Sequence, residues 1–354
     1  MDEILIGARA VGVWQPVFVV AELSANHNHD LSVARRTLDA AAAAGADGVK
    51  LQTYTPDTIT LPSDAEPFRV SGGTVWDGRT LHDLYSEAYM PWEWHEPLFQ
   101  HAADLGLVCF STPFDPTAVE LLSSMEVPAY KIASFEITDV PLIELVARQG
   151  RPVIISTGVA TENEIRVAVQ TCHDVGNRDL ILLQCTSAYP APLAELNLRT
   201  MPDLASRFGT LIGLSDHTTS HVPAVAATAL GATMIEKHLI LDRSMGGPDS
   251  SFSMEPDEFA TMVALVRDTE SALGKVSYEL TPGAVVSRRH TRSLFVVEDV
   301  LAGEAVSARN VRSIRPAGGL PPAEFDDVVG HSFVRAVPRG TPLDRSLLSE
   351  QPGS

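Results

Sequence analysis

Two stretches of the chain decide the fold: residues 213–217, which read GLSDH, and residues 232–238, which read ATMIEKH. Each begins as a short apolar strand and stops in polar residues, and a helix-like segment at residues 222–230 separates them. A strand, a helix and a second strand in this order form the unit of a parallel sheet. If the two strands are adjacent, their polar ends meet at one end of the sheet, where α/β folds place ligand sites.

Each of these strand ends carries a histidine. Because side chains alternate between the two faces of a strand, His217 shares a face with Ser215, and His238 shares a face with Glu236. The two imidazoles can therefore meet and hold a metal ion, although two core histidines bonded to backbone are the alternative. The pattern occurs on two consecutive units, each with an inward polar residue two positions earlier, and this repetition favours the metal site.

The same kind of strand recurs along the rest of the chain. The predicted strands are residues 17–22, 48–52, 107–111, 129–133, 153–156, 180–186, 213–217 and 232–238. The predicted helices are residues 30–44, 81–105 with an interruption at Pro91, 116–125, 141–149, 162–173, 222–230 and 256–273. The helical pattern after the sixth strand is weak. Eight βα units within about 260 residues predict an α/β fold, a closed (β/α)8 TIM barrel, rather than an open sheet.

Segments outside the repeat complete the predicted organisation. Residues 4–6 and 11–13 are expected to form a hairpin that plugs one end of the barrel. Residues 54–80 are a long polar insertion that we interpret as a functional loop. We predict a barrel domain at residues 1–273 including the hairpin, a linker at residues 274–290, and a small domain of short strands at residues 291–354.

The composition limits the classes of partner. The 354 residues carry a formal net charge of −19, which argues against a nucleic acid because phosphate binding needs a basic face. No apolar run approaches the ~20 residues of a membrane span, and the acidic start lacks the features of an export signal. Three cysteines without CxxC spacing fit a reducing cytoplasm. Cys109 and Cys185 are expected to pack in the core, since neither has an obvious neighbouring base.

Polar and ionisable residues end the predicted strands, at the rim where barrel enzymes hold their reactive groups. In chain order they are Glu22, Lys50, Gln52, Ser111, Thr112, Lys131, Ser134, Glu136, Ser156, Thr157, Thr186, Ser187, Ser215, His217, Glu236 and His238. Lys50 and Lys131, surrounded by hydroxyl groups, offer the charges and short donors that a phosphate or carboxylate needs. Glu22 and Glu136 are candidate acid–base groups. The alternative for the whole set is a structural polar network that caps the barrel.

The residues alone leave three functions open. The first is a metal-assisted condensation, in which a phosphate-bearing anion reacts with an aldehyde polarised by an ion at His217 and His238. The second is a Schiff-base aldolase with Lys131 or Lys50 as nucleophile, which has little need of two inward histidines and should tolerate a chelator. The third, a non-catalytic polysaccharide-binding protein, does not account for so many reactive groups at one rim.

Seven stretches taken together resemble the sialic acid synthase family, and within it the pseudaminic acid synthase branch. They are residues 21–27 (AELSANH), 50–57 (KLQTYTPD), 76–81 (WDGRTL), 130–136 (YKIASFE), 185–190 (CTSAYP), 213–217 (GLSDH) and 236–238 (EKH). The tail at residues 292–316 resembles the antifreeze-like (SAF) domain that closes this family. The resemblance covers nearly the whole chain and implies a TIM-barrel synthase domain followed by a SAF domain of the β-clip type.

The resemblance implies a condensation of phosphoenolpyruvate (PEP) with an open-chain N-acetylated amino sugar, which gives a nine-carbon 2-keto acid and phosphate. It implies Mn²⁺, with Mg²⁺ or Co²⁺ as substitutes, held by His217 and His238. It also implies a domain-swapped homodimer, in which Arg315 reaches into the other subunit's site. By the same resemblance the catalytic residues are Glu22, Gln52, Glu136 and Glu236, the PEP-binding residues are Lys50, Thr112, Lys131, Ser134, Ser156, Ser187 and Ser215, and the sugar-binding residues are Tyr189, Asp249 and Arg315.

The chain departs from the family pattern at positions that bear on the sugar. His29 stands where many members have glycine, and Ser187 replaces the asparagine of typical N-acetylneuraminate synthases. With Trp76 and residues 250–253 (SSFS), Ser187 favours the pseudaminic branch, whose acceptor is a 6-deoxy-2,4-diacetamido hexose. The alternative is an N-acetylneuraminate or legionaminic acid synthase that uses N-acetylmannosamine or a related sugar.

Overall fold

The computed structural model of the chain describes residues 2–71 and 73–352. The predicted domain ends at residues 1 and 354, and residue 72 of the predicted insertion, lie outside these ranges. The chain divides into two compact units, Met1–Gly274 and Lys275–Ser354. Each unit has its own hydrophobic core.

The first unit is a barrel. Its strands are β1 (Glu3–Ile6), β2 (Arg9–Gly12), β3 (Phe18–Glu22), β4 (Gly48–Thr53), β5 (Val108–Pro113), β6 (Tyr130–Ile132), β7 (Val153–Ser156), β8 (Leu180–Cys185), β9 (Leu211–Asp216) and β10 (Met234–His238). Strands β3 to β10 are parallel and close into a ring of eight within the described residues, because β10 pairs with both β9 and β3. The predicted (β/α)8 barrel is confirmed.

Helices follow the strands of the barrel. They are α1 (Leu31–Ala43), α2 (Pro56–Ile59), α3 (Leu81–Ala88), α4 (His95–Asp104), α5 (Pro116–Ser124), α6 (Val140–Ala147), α7 (Glu162–Asp174), α8 (Thr200–Phe208), α9 (Val222–Ala229) and α10 (Pro256–Leu273). Polar caps start several of them: the Asp30 carboxylate accepts from the Ser32 amide at α1, and Thr161 forms a capping box with Glu164 at α7. In the part of the chain that is described, no helix combines the length and apolarity of a membrane span.

Helix α8 is more regular than the weak sequence pattern indicates. Met201 and Leu204 bury its inner face. Pro202 lies in the first turn, where a backbone amide has no partner inside the helix, so it does not break the hydrogen-bond ladder. The helix ends at Gly209, whose φ of 68° forms a left-handed cap. Two buried side chains in a short helix give a weak periodic signal, yet they are enough to dock it.

The side chains that point into the barrel are apolar in its interior and polar at its rim. Hairpin residues Ile4, Ile6 and Val11 pack inside the barrel with Phe18, Val20, Phe110, Ala129, Ile154, Ile181, Leu183, Leu211 and Met234. Further along these strands the inward residue becomes polar: Val20 is followed by Glu22, and Ile154 by Ser156. The hairpin therefore fills one end of the barrel, and the reactive side chains project at the other end.

The second unit is small and rich in short strands. Its elements are α11 (Pro282–Ser287), β11 (Ser293–Val296), β12 (Val311–Ile314), α12 (Phe325–Val328), β13 (His331–Phe333) and β14 (Leu348–Pro352). The pairs β11–β12 and β13–β14 are antiparallel, and Leu294, Val311 and Phe333 are among the residues of its core. The predicted linker at residues 274–290 contains α11, which is capped by the Thr281 hydroxyl.

Candidate functional site

The C-terminal ends of the barrel strands open into a cavity of about 440 Å³. Its lining includes the predicted site residues Glu22, Lys50, Gln52, Lys131, Ser134, Glu136, Ser156, Tyr189, Ser215, His217, Glu236, His238 and Asp249. Thr112 is buried and accepts a hydrogen bond from Lys50 Nζ at 3.1 Å, and Ser187 Oγ lies 3.9 Å from Cys185 Sγ. Arg315 follows β12 in the second unit, so its contact with a sugar stays a prediction.

The two histidines predicted to bind a metal line the same cavity. The ring centroids of His217 and His238 are 5.3 Å apart, so neither is a core histidine packed among aliphatic side chains. His217 Nδ1 lies 3.1 Å from the carbonyl oxygen of Thr186. Because a carbonyl oxygen only accepts, this contact keeps the proton on Nδ1 and leaves Nε2 as the nitrogen that can bind an ion.

His238 has a buried ring nitrogen without a hydrogen-bond partner. Its Nδ1 is 3.9 Å from Asp249 Oδ2, beyond hydrogen-bonding range. Burial, together with the nearby His217 and Lys50, lowers the pKa of His238 well below 6.5, which favours the neutral ring that a metal ligand must have. No group of three or more His, Cys, Asp or Glu side chains in the described ranges could hold an ion. An ion held by this pair would take its other ligands from water or substrate oxygens.

Lys50 lies between two carboxylates. Its Nζ is 2.6 Å from Glu22 Oε2 and 3.6 Å from Glu236 Oε1. Burial raises the pKa of Glu22 to about 7, and Lys50 only partly opposes this. Burial also acts to raise the pKa of Glu236, but the charges of Lys131 and Lys50 bring it below 4.5. The pKa values of these two neighbouring carboxyl groups are thus shifted in opposite directions, as in the acid–base pairs of enzymes.

Lys131 lies among hydroxyl and carbonyl groups. Its Nζ donates to Ser156 Oγ at 2.7 Å and to the Ile132 carbonyl oxygen at 3.1 Å. Burial lowers the pKa of Lys131 below 10.5, which reflects the cost of keeping an ammonium group away from water. An anionic ligand in the cavity would offset this cost.

Gly158 allows two of the predicted PEP-binding serines to come together. A Cβ atom at this position would lie 2.4 Å from Ser187 Oγ and 2.9 Å from Ser134 Oγ, and the Gly158 amide donates to Ser134 Oγ at 3.1 Å. Any side chain here would displace these hydroxyl groups. A glycine that follows Ser156 and Thr157 at a strand end signals such close packing.

Glu136 is a second carboxyl group with a raised pKa. It lies in the 3-10 turn Ser134–Thr138 that follows β6, and its Oε2 is buried without a hydrogen-bond partner. Burial raises the pKa of Glu136 to about 7, against the smaller effect of Lys131. The carboxyl group can therefore hold or release a proton near neutral pH.

Asp249 joins the loop after β10 to the loop after β3. Its Oδ2 accepts from the Ser24 hydroxyl and, at 3.3 Å, from the Ala25 amide. Gln52 Nε2 donates to Ser24 Oγ at 2.8 Å and to Glu22 Oε1 at 3.1 Å. Burial raises the pKa of Asp249 despite these donors. The network forms a continuous polar wall between the predicted catalytic and sugar-binding residues.

The prediction that Cys185 has no neighbouring base is wrong. Its Sγ lies 3.8 Å from His217 Nδ1 and lines the cavity. Burial acts to raise the pKa of this thiol, but His217 lowers it to about 7; burial acts to lower the pKa of His217, and Cys185 raises it. The alternation of side chains along the strand could have predicted this position, because Cys185 follows the inward-facing Leu183 by two residues. Cys109 packs in the core as predicted.

Tyr189 and Phe252 contact the imidazoles, and Trp76 packs against both of these rings; we call Trp76, Tyr189 and Phe252 the aromatic cover. The Tyr189 ring is 4.5 Å from that of His217, and the Phe252 ring is 5.0 Å from that of His238. Trp76, from the insertion after β4, is 5.3 Å from Tyr189. The sequence marks Trp76 as unusual, but this contact joins segments that are far apart in the chain.

Comparison with known proteins identifies the family. Residues 37–278 match the model of the NeuB family, and residues 291–348 match that of the SAF domain. The chain belongs to the NeuB family. This confirms the resemblance to sialic acid synthases seen in the sequence motifs, and it confirms the SAF domain at the C-terminal side.

Several NeuB-family relatives align over almost the whole chain. Pseudaminic acid synthase of Helicobacter pylori is 46% identical over 330 residues, which cover 93% of this chain and 97% of the relative. N,N'-diacetyllegionaminic acid synthase of Legionella pneumophila is 34% identical over 342 residues, 95% of this chain and 96% of the relative. The crystal structure of the N-acetylneuraminic acid synthetase of Leptospira borgpetersenii superposes with a TM-score of 0.71 at 32% identity, over 81% of this chain and 95% of that one.

Proposed function

We propose that this NeuB-family chain is a pseudaminic acid synthase. It condenses PEP with an open-chain 6-deoxy-2,4-diacetamido hexose to give a nonulosonic acid and phosphate, which makes it a PEP-dependent transferase. One observation carries the proposal: a single cavity contains two buried lysines with neighbouring hydroxyl groups, and two imidazoles that face each other. An enol phosphate and an aldehyde must be held together in this way to react.

The lysines and serines bind PEP in this proposal. Lys131 and Ser156 already form a donor pair, and the Ser134 hydroxyl adds a third donor to the same part of the cavity. Lys50 and Ser215 supply further donors. Lys50 Nζ lies 3.6 Å from Glu236 Oε1, and Ser215 Oγ donates to the same oxygen at 3.5 Å. Ammonium and hydroxyl donors suit the phosphate and carboxylate of PEP, and a buried ligand charge makes each hydrogen bond stronger than in water.

We propose that His217 and His238 hold Mn²⁺, with Mg²⁺ or Co²⁺ as substitutes. The neutral His238 ring with its unpartnered nitrogen, and the Nδ1 contact that orients His217, support this assignment. A divalent ion bound here supplies Lewis-acid polarisation of a carbonyl oxygen. The aromatic cover shields both rings from water on one side, which preserves the strength of charge interactions in the cavity.

Two carboxyl groups provide the proton transfers. The reaction joins the enol carbon C3 of PEP to the aldehyde carbon, places a proton on the aldehyde oxygen, and adds a water oxygen to C2 as phosphate leaves. We assign Glu22 as the acid, because Gln52 connects it to the predicted sugar-binding wall. We assign Glu136 as the base for water, because it lies in the turn that begins at the PEP-binding Ser134. A pKa of about 7 suits both roles.

A Schiff-base aldolase is the second candidate, and one observation favours it. Burial lowers the pKa of Lys131, and a lowered pKa activates lysine nucleophiles. However, such a mechanism makes no use of the two imidazoles. A chelator would leave an aldolase active, and borohydride would trap its imine, so these two treatments distinguish the candidates.

We also propose a domain-swapped homodimer in the cytoplasm. In the second unit the side chains of Val276 and Tyr278 are 91% and 98% exposed, which suits a segment covered by a second copy of the chain. In such a dimer Arg315 would complete the sugar site of the partner, as the family resemblance implies. The three cysteines are unpaired, as expected in a reducing compartment.

A competition between sugars tests the proposed function. The protein is mixed with PEP, Mn²⁺ and equal concentrations of the 6-deoxy-2,4-diacetamido hexose and N-acetylmannosamine, and the acid products are separated by mass. The proposal predicts faster formation of the diacetamido acid. Faster turnover of N-acetylmannosamine would instead identify an N-acetylneuraminate-type synthase, and the absence of any acid product would reject the reaction.

A further inference from the structure

The insertion at residues 54–80 and the helix after it add an apolar wall to the cavity. The side chains that they contribute are Tyr54, Ile59, Val70, Thr74, Trp76, Leu81, Leu84, Tyr85 and Ala88. The strand ends, by contrast, contribute lysines, carboxylates, serines and histidines. N-acetylmannosamine has one acetamido methyl group and a hydroxymethyl group at C6. The 6-deoxy-2,4-diacetamido hexose has two acetamido methyl groups and a methyl group at C6, so it buries more apolar surface against such a wall.

Trp76 fixes this insertion to the barrel. Val70 and residues 73–80 lie close together, and the Gly78 amide donates to the Val70 carbonyl oxygen at 2.9 Å. The turn is largely exposed, but the half-buried Trp76 indole donates from Nε1 to the Pro248 carbonyl oxygen at 2.8 Å. This bond joins the insertion to the loop after β10, which carries Asp249.

A single aromatic ring separates the Trp76 indole from each imidazole. Its centroid is 5.3 Å from that of Tyr189 and 6.4 Å from that of Phe252. Tyr189 in turn contacts His217, and Phe252 contacts His238. Trp76 is thus held at a fixed distance from the place where the aldehyde reacts, and its position is set by a hydrogen bond as well as by stacking.

We infer that Trp76 is a specificity residue for the sugar. Together with Ile59 and Val70 it receives the apolar groups of the 6-deoxy-2,4-diacetamido hexose, and the Pro248 bond holds it in place. The inference rests on the proposed function and names the residue that separates this sugar from N-acetylmannosamine. Lys131 and Ser156 are not part of this wall, so PEP binding should be independent of Trp76.

Two substitutions at Trp76 measure its effect on specificity. Trp76→Ala should lower kcat/KM for the diacetamido sugar roughly tenfold to hundredfold, mainly through KM, because the apolar contacts are lost. N-acetylmannosamine should be affected less, so the ratio of the two kcat/KM values should fall at least roughly tenfold. Trp76→Phe keeps an aromatic ring but loses the bond to Pro248, and it should give an intermediate ratio. The KM for PEP should stay unchanged in both, which a general loss of structure would not allow.

Tryptophan fluorescence gives a second readout that does not depend on turnover. Trp14, near the hairpin, is 86% exposed and provides the matched control. Addition of the diacetamido sugar in the presence of PEP should change the emission of the wild type and of Trp14→Phe. The same addition should change the emission of Trp76→Phe much less than that of the wild type, and an equal change in both would argue against contact of Trp76 with the sugar.

The outcomes separate the inference from the proposed function. A wild type that prefers N-acetylmannosamine overturns the proposed function. A wild type that prefers the diacetamido sugar, with Trp76 variants that keep the same ratio, overturns the role of Trp76. Variants that lose PEP binding and sugar binding equally assign Trp76 a purely structural role and also overturn it.

Discussion

Replacing Gly158 with alanine tests whether the serines around it bind PEP. The added Cβ would lie 2.4 Å from Ser187 Oγ, 2.9 Å from Ser134 Oγ and 3.0 Å from Cys185 Sγ. An ordinary contact of 3.4 Å requires the Ser187 hydroxyl to withdraw by about 1 Å. The φ angle of Gly158 is not in the left-handed region. The substitution therefore acts through the steric clash and not through backbone strain.

The expected magnitude follows from the hydrogen bonds that are displaced. A hydrogen bond between a hydroxyl group and a charged ligand contributes about 1.5–3 kcal/mol. Loss of one such bond should raise the KM for PEP roughly tenfold to hundredfold, since about 1.4 kcal/mol corresponds to tenfold. Overpacking should in addition lower the free energy of unfolding by about 1–3 kcal/mol. The KM for the sugar should change less, because the three atoms nearest to the added methyl group belong to Ser187, Ser134 and Cys185.

Steady-state kinetics with each substrate varied in turn, combined with thermal unfolding, measures these effects. Gly283→Ala is the matched control, because its Cβ would meet no atom within 4 Å; its KM for PEP should equal that of the wild type. The double variant Gly158→Ala, Ser187→Ala removes the closest clash, so it should regain stability without regaining PEP affinity. A folded Gly158→Ala protein with a KM for PEP within about twofold of the wild type would refute PEP binding by Ser134 and Ser187.

His217→Ala should abolish metal-dependent turnover, and full activity of the purified variant after chelation would contradict the ligand assignment. Burial raises the pKa of Glu136 to about 7, so the acid limb of the kcat/KM profile should rise towards pH 7 as this base loses its proton; Glu136→Gln should remove that limb, and an unchanged pH profile would exclude the role. Truncation after Lys275 should leave a folded barrel with little activity, whereas an unchanged rate would discount Arg315. Burial lowers the pKa of His27 from 6.5 to about 4. Below pH 6.5 this histidine therefore binds a proton more readily in the unfolded chain than in the folded protein, and the free energy of unfolding falls as the pH drops. In urea titrations His27→Asn should make this fall shallower by about 2 kcal/mol between pH 7 and pH 5, and parallel curves for the two proteins would argue against it.

The barrel could be predicted from the sequence because its strands are buried on both faces. Stretches such as β8 (Leu180–Cys185) begin with a run of apolar residues and end in polar ones, so their positions and their shared direction follow from local pattern. The period of two then places Lys50 and His217 at the rim without further information. The same rule places Cys185 at the rim, because it lies two positions after the inward-facing Leu183; its apolar character instead suggested a core position.

Contacts between distant segments could not be predicted in this way. The Trp76 bond to Pro248 and the approach of Ser187 to Gly158 depend on how loops meet across the barrel, and no local pattern encodes this. His29 gives another example. It replaces the glycine of many family members, and it keeps a left-handed backbone with φ 53°; its ring packs 4.9 Å from that of Tyr89, a contact that exists only after folding.

The most direct test of the central claim is the stoichiometry of the reaction. Full-length protein is incubated with PEP and the diacetamido sugar, with and without Mn²⁺, and phosphate and acid product are quantified together by colorimetry and mass spectrometry. The account predicts one phosphate for each nine-carbon acid, formed only when the sugar and the ion are both present. Phosphate release without the acid, or undiminished acid formation after complete chelation, would contradict it.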